Sequence, residues 1–489
     1  MITLGAIFGT WGQRGNISTV FFEPEQWVVV NSSNSNPDSV NGEFSESWES
    51  RQKSENSSSP FPEHSLTGLG AESIYGQAPA TFGDAIEIVF PADPAIVLNV
   101  REFGAVGDGL ADDTVAIQNA IYESTASSRA LYFPNGVYRI TQEIRFEQSD
   151  GQALRSGPHL YGQSRDGVIL RLEDNLAAFA DPGNPIQAVI RTVNAEDGAT
   201  FRQISADFFN RQLVNFTIDT GNNPGAVGIK FYSNNTGILH NVRVIGNGAI
   251  GIDIASIALN GPNLMQNIEV DGFDIGIQAS GDNSATISNL AVRNASAYGL
   301  YHNGGVLQVE GLVVENAPVA VFSAPTAPFS RTTLTLVNGQ LRGGDRTQPA
   351  IISGDLLFAR NIETRGYAIA IEARAGTTGN VESSIVDEYS SHGASKEFAT
   401  NVDTSLNLPI YYQPITYDTD PQNWVNVQAY GALPGDNRDD TQAIQSAIDA
   451  AAAAGQTTLY FPGLTAPDPN WYTLDGDVTI YGTVQHIMG

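Results

Sequence analysis

Between residues 213 and 372, apolar and polar residues alternate in short bursts that recur at nearly constant distance. The element x-Asn-apolar-x-apolar reads VNFTI at Asn215, HNVRV at Asn241, QNIEV at Asn267 and SNLAV at Asn289. Weaker copies are EGLVV at Gly311, VNGQL at Asn338 and RNIET at Asn361, and successive copies lie 26, 26, 22, 22, 27 and 23 residues apart. A second burst follows most of them after 9 to 13 residues: VGIKF, IGIDI, IGIQA, YGLYH, VAVFS and IAIEA. Alternation with period 2 predicts strands, and a repeat of this length holding two short strands predicts a parallel β-solenoid. Tandem helices would instead place apolar residues at i, i+3 and i+4. Pairs such as Phe216/Ile218, Val242/Val244 and Ile268/Val270 should then face inward, each resting on its equivalents in coils ~4.8 Å away. The Asn column is read as a stacked amide ladder at a turn, in preference to a functional row.

A different pattern occurs twice. NVREFGAVGDGLADDTVAIQNAI (99–121) and NVQAYGALPGDNRDDTQAIQSAI (426–448) align without gaps and share 12 of 23 residues. Each predicts a short strand, a Gly/Asp turn and a helix, with Asp112 or Asp113 as N-cap and Ile117/Ile121 on one face. LYFPNGVYRIT then supplies strand, turn and strand in the first copy, and LYFPG at 459–463 repeats its start. An open solenoid end exposes unpaired backbone and an apolar cross-section, so this unit is expected to act as a plug. Asp108, Asp112 and Asp113 as a metal site is the weaker alternative, because the spacing of a calcium loop is missing.

The motif NVREFGAVGDGLADDTVAIQNAI…LYFPNGVYRIT resembles the N-terminal cap of the pectate-lyase-like single-stranded right-handed β-helix superfamily, in its rhamnogalacturonase/epimerase-type branch. Two caps in one chain resemble, in layout, the twin β-helix proteins of glycoside hydrolase family 55. The resemblance runs from about residue 95 to the end. It implies an all-β, right-handed parallel β-helix with a helical N-terminal cap, followed by the start of a second β-helix. In the twin-helix family the active site lies between the two solenoids. Here Val425 to Gly489 provide a cap and about one coil, so the expectation is a truncated second helix, and no stretch matches the family's catalytic residues.

The domain layout expected is a flexible, Ser/Asn/Glu/Pro-rich arm at 1–65, a first β-helix at 66–406 with its cap at 99–141, a linker at 407–424, and the incomplete second helix at 425–489. Formal charge is −29, from 24 basic and 53 acidic residues. Such a chain repels nucleic acid and anionic membrane, and a neutral glycan meets less resistance than a polyanionic one. With no cysteine, disulfides and thiolate–metal sites are excluded. No cofactor is expected, and Ca²⁺ has no motif to support it. The N-terminus lacks a signal peptide's basic region, and no 18-residue apolar run predicts a membrane span. The resemblance implies an extracellular or cell-surface location and a polysaccharide partner.

Candidate chemistry is thin. Asp271 and Glu315 fall two coils apart in one outward column, ~9.6 Å at the solenoid spacing, near the upper limit for an inverting glycosidase. Arg293 between them favours a salt-bridge ladder instead. Asp274 reads as a turn residue and His302 as a strand-end residue that a groove could use. Tyr301, Phe322, Tyr411, Tyr412 and Trp424 are aromatics able to stack on sugar rings. Three functions follow: a glycoside hydrolase of β-1,3-glucanase type acting on a polysaccharide, a non-catalytic glycan-binding, adhesin or tail-spike-like solenoid, and, ranked last, a pectate/uronate lyase.

Overall fold

The Asn element straddles a corner. In the computed structural model Asn215, Asn241, Asn267, Asn289, Asn338 and Asn361 all adopt positive φ, between 55° and 62°. That left-handed conformation turns the chain sharply and costs most side chains 1–2 kcal/mol, roughly, which is why Asn or Gly stands there; Gly311 fills the one gap with φ 70°. Amides link neighbouring coils: Asn241 Nδ2 donates to Asn215 Oδ1 at 2.7 Å, Asn289 to Asn267 at 3.1 Å and Asn361 to Asn338 at 2.8 Å. The amide ladder is therefore structural. Because the corner splits the element, each coil supplies three strands rather than two. We expect Asn241→Ala to lower stability by about 2–3 kcal/mol, through strain and a lost buried bond. Asn241→Gly should recover the strain alone; equal losses for both variants in urea unfolding would refute the backbone account.

The structure describes residues 19–23, 26–30, 87–90, 97–127, 129–147, 149–150, 157–184, 187–192, 209–254, 260–281, 283–324, 332–393, 405, 410, 418, 420–463 and 471–488. Three parallel strand columns, here called the first, second and third sheets, run along the solenoid. The first stacks Leu98, Leu131, Leu160, Leu213 and Leu239 in register, all buried. The second stacks Ile218, Val244, Val270, Val292 and Val314, and the third Ile190, Ile229, Ile252, Ile277 and Leu300. These columns merge into one core. Strand Ile385–Ser390 pairs antiparallel with Leu356–Arg365 and so ends the parallel stacking.

The repeated signature builds the same cap twice, around helices α1 (Thr114–Ser127) and α2 (Thr441–Ala454). Asn99 and Asn426 accept the N–H of Arg101 and Gln428, at 3.0 and 2.9 Å. Gly104 and Gly431 follow at φ 98° and 101°. Asp112 and Asp439 accept from Thr114 N and Thr441 N, at 3.1 and 2.9 Å. Asp113 and Asp440 are buried and clamp loop backbone: Asp113 accepts from Val106 N (2.7 Å) and Gly107 N (3.1 Å), Asp440 from Leu433 N and Thr473 N (both 2.9 Å). Gln118 exchanges two hydrogen bonds with the Arg145 backbone, as Gln445 does with Thr479. The acidic residues thus serve the cap, with Asp112 and Asp113 dividing the work.

The C-terminal segment has its own small core and a three-stranded parallel sheet of Val425–Asn426, Thr458–Tyr460 and His486–Met488. Trp424, Tyr460 and Met488 pack with Phe90, Tyr132, Tyr161 and Val214, so this segment seats on the outer side of the first sheet. Of the arm expected at 1–65, the described part is the backbone of a hairpin, Thr19–Glu23 and Gln26–Val30, whose second strand pairs with Thr479–Ile480. The remainder, and Tyr411 and Tyr412 of the linker, lie outside the described residues. Among the described residues no helix is long and apolar enough to cross a membrane.

Candidate functional site

Strand alternation fixes what the third sheet shows to the outside. Ile144 and Phe146, Ile190, Ile229 and Phe231, Ile252 and Ile254, and Ile277 and Ala279 all enter the core. The residues between them must therefore point outward. In register across adjacent coils these are Arg145, Arg191, Lys230, Asp253, Gln278, Tyr301 and Phe322. One face thus carries three cations, a carboxylate, an amide and two aromatic rings, each a coil step of ~4.8 Å from the next.

The charged members are desolvated. Arg191, Lys230 and Asp253 are only 4%, 5% and 3% exposed although they face away from the core. Glu143 bridges the two arginines, with Oε2 2.8 Å from Arg145 Nε and Oε1 2.8 Å from Arg191 Nε, and Oε1 also accepts from Ala188 N at 2.8 Å. Gln278 Nε2 donates to Asp253 Oδ1 at 3.4 Å. Beyond Gln278 the face becomes aromatic and half-buried. Tyr301 and Phe322 stack with centroids 5.5 Å apart and planes 8° from parallel, and Tyr298 lies 5.7 and 5.0 Å from them. Buried paired charges strengthen electrostatics, and an aromatic shelf offers an apolar surface to a sugar face. Among the described residues no group of three or more His, Asp or Glu could hold a metal ion.

The second sheet holds the carboxylates singled out from sequence. Arg293 lies between Asp271 and Glu315 in register. It pairs with Glu315 (Nε–Oε2, 3.1 Å) and with Glu269, while Asp271 Oδ1 accepts from Asn294 Nδ2 at 2.7 Å. Burial works against the Arg293 charge, but Glu269 and Glu315 outweigh it and raise its pKa. Asp274, expected in a turn, instead lies within the strand run Asn260–Ser280, is exposed, and accepts from Ser296 Oγ. His302 points into the core with no exposure, because it follows outward Tyr301. Trp424 is 6% exposed; its indole N–H donates to the Asp418 carbonyl at 2.7 Å and its ring meets Phe90 and Tyr460. Of the residues proposed from sequence, then, Tyr301 and Phe322 share the face just described, and Asp271, Glu315, Asp274, His302 and Trp424 lie elsewhere. Arg145, Arg191, Lys230, Asp253 and Gln278 escaped sequence reasoning. Lys230 and Asp253 were nevertheless reachable, each being the polar fourth residue of a burst already aligned, in VGIKF and IGIDI.

A capped parallel solenoid with a polar and aromatic outer row defines the class. The chain belongs to the rhamnogalacturonase A/epimerase, pectate lyase-like family, whose model matches residues 97–321 and 424–464, so that both caps fall within the matched parts. Mannuronan C5-epimerase AlgE2 of Azotobacter vinelandii is 32% identical over 105 residues, which cover 21% of this chain and 10% of that protein. Glucan 1,3-beta-glucosidase of Cochliobolus carbonum is 27% identical over 92 residues, covering 19% and 10%. The chain therefore spans about a tenth of the length of these relatives. Among solved structures, the phiAB6 tailspike in complex with oligosaccharides of Acinetobacter baumannii surface polysaccharide is similar over 64% of this chain and 60% of its own, at 13% identity and a TM-score of 0.39.

Proposed function

We propose that the protein binds and modifies an acidic polysaccharide on the outer face of the third sheet. The observation that carries this reading is the desolvated row Arg191, Lys230 and Asp253 continuing into the Tyr301–Phe322 shelf. Glu143, Arg145, Arg191, Lys230 and Asp253 carry three positive and two negative formal charges in a chain of net charge −29. Arg145, the exposed cation of the row, favours a uronate carboxylate despite the overall repulsion, which places an acidic glycan ahead of a neutral one. Neutralising that carboxylate acidifies the adjacent carbon-bound proton, the step shared by epimerases and lyases. Relatives named as mannuronan epimerases support the same class.

The glycoside-hydrolase reading is second. It draws on the match to a glucan 1,3-beta-glucosidase and on the twin caps. Hydrolysis needs two carboxylates roughly 5–9.5 Å apart. In this row Asp253 has Gln278, Tyr301, Phe322 and Ile352 before the next carboxylate, Glu372.

The test is affinity electrophoresis in polyuronate and in neutral β-glucan, followed by incubation with polyuronate in D₂O. Retardation by polyuronate, at least tenfold weaker in Tyr301→Ala/Phe322→Ala, and deuterium at C5 are expected. Reducing ends from β-glucan without C5 exchange would replace the proposal with the hydrolase. Binding with neither signal would make the protein a non-catalytic glycan binder.

A further inference from the structure

We propose that the solenoid interior contains a hydration site near its C-terminal end, where an ordered water bridges His302 and Ser323. Along the axis, the last inward column of the third sheet reads Phe231, Ile254, Ala279, His302, Ser323 and Ser353. Large apolar side chains thus give way to small and polar ones within a few coils. His302, Ser323 and Ser353 have no exposure at all.

Their hydrogen bonding is incomplete. Ser353 Oγ donates to the Asp355 carbonyl at 3.2 Å. Neither ring nitrogen of His302 nor the Ser323 hydroxyl makes a hydrogen bond of normal length and angle among the described residues, although the backbone of Gly304 and Gly305 lies near the ring. The Tyr389 hydroxyl, on the strand that closes this end of the stack, faces the Ser353 side chain. A neutral imidazole carries one N–H and one lone pair, and a core rarely leaves both unmet beside an unmet hydroxyl. One water satisfies such a set, because it needs two to four polar partners and little room. Ala279 and Ser323, the small residues on either side of His302 in this column, would supply the room. Burial keeps the imidazole neutral, against the weaker pull of Gly304, Asp355 and Gly305 towards protonation. The inference is independent of the polysaccharide reading.

The experiment is a double-mutant cycle on the full chain with His302→Leu and Ser323→Ala, read by urea unfolding, together with a crystal structure fine enough to show waters. With a shared water, each single variant raises the unfolding constant about tenfold. The double variant is then no worse than the worse single one, because the bridge is lost only once. Density within hydrogen-bond reach of both residues is expected. Single variants that are neutral or more stable would mean a dry, frustrated pair and would overturn the proposal. Additive losses, or empty density between the two side chains, would overturn it as well.

Discussion

Lowering the pH from 7 to 5 should destabilise the protein by about 4 kcal/mol through its two most buried histidines, His240 and His302, with His159, which burial also lowers to about 4, adding to the loss. Both are buried, at 1% and 0% exposure, and burial lowers each pKa from 6.5 to about 4. The unfolded chain takes up protons on these residues as pH falls below 6.5, while the folded chain does not. Stability is therefore complete above 6.5, falls through the interval down to about 4, and changes no further below that on their account. At pH 5 the difference is about 1.5 pH units per histidine, or about 2 kcal/mol each. His486 is lowered too, by burial, with Asp418 opposing.

Carboxylates act in another window. Backbone hydrogen bonds from Ala111 and Leu110 lower the Asp108 pKa below 3.8, and the Thr441 hydroxyl does the same for Asp439. Their contribution is present above 3.8 and is lost only as pH falls through their lowered values. Urea unfolding at pH 7, 6, 5 and 4 separates the two sets. The slope between pH 6.5 and 4 should flatten by about a third when either His240 or His302 is replaced by Gln. A wild-type protein equally stable at pH 7 and pH 5 would contradict the neutral state of both histidines.

His302 also shows where sequence reading succeeds and where it stops. The Asn column was legible because one backbone conformation, left-handed at a corner, selects one residue type at one offset in coil after coil. The inward face of His302 was legible in principle, since Leu300 enters the core and alternation carries residue 302 in with it. The outer row of the third sheet was hidden for a physical reason. Arg145, Arg191, Lys230, Asp253, Gln278, Tyr301 and Phe322 share a position and no chemistry, and the chain between consecutive members varies from 21 to 46 residues. Lys230 to Phe322 are the fourth residues of the aligned bursts, but only strand register adds Arg145 and Arg191 to the row. Trp424 illustrates the opposite error: an aromatic near a linker suggested a sugar platform, but the outer side of the first sheet offered Phe90 and Tyr132 as an apolar seat, and the ring is buried there. Net charge has a similar limit, because −29 is a sum over the chain and a ligand meets only the few charges of its groove.

The twin caps give the sharpest division of labour to test. Asp113→Ala should cost about 3–4 kcal/mol, because it leaves the Val106 and Gly107 amides without their buried acceptor. Asp112→Ala removes a partly solvated acceptor of the Thr114 N–H just ahead of α1 and should cost about 1 kcal/mol. The adjacent aspartates of one motif would then differ severalfold in unfolding free energy. A larger loss from Asp112→Ala would reverse the roles assigned to them. The same substitution at Asp440 frees the Leu433 and Thr473 amides. Because the core around α2 is separate from that of the long solenoid, Asp440→Ala should raise hydrogen exchange across residues 425–488 and leave the Asn corners of the solenoid protected. Asp113→Ala, at the end where the solenoid's own stacking begins, should raise exchange in the first coils instead. If Asp440→Ala loosened the solenoid corners as strongly as its own cap, the seat of Trp424, Tyr460 and Met488 on the first sheet would couple the two cores into one unfolding unit.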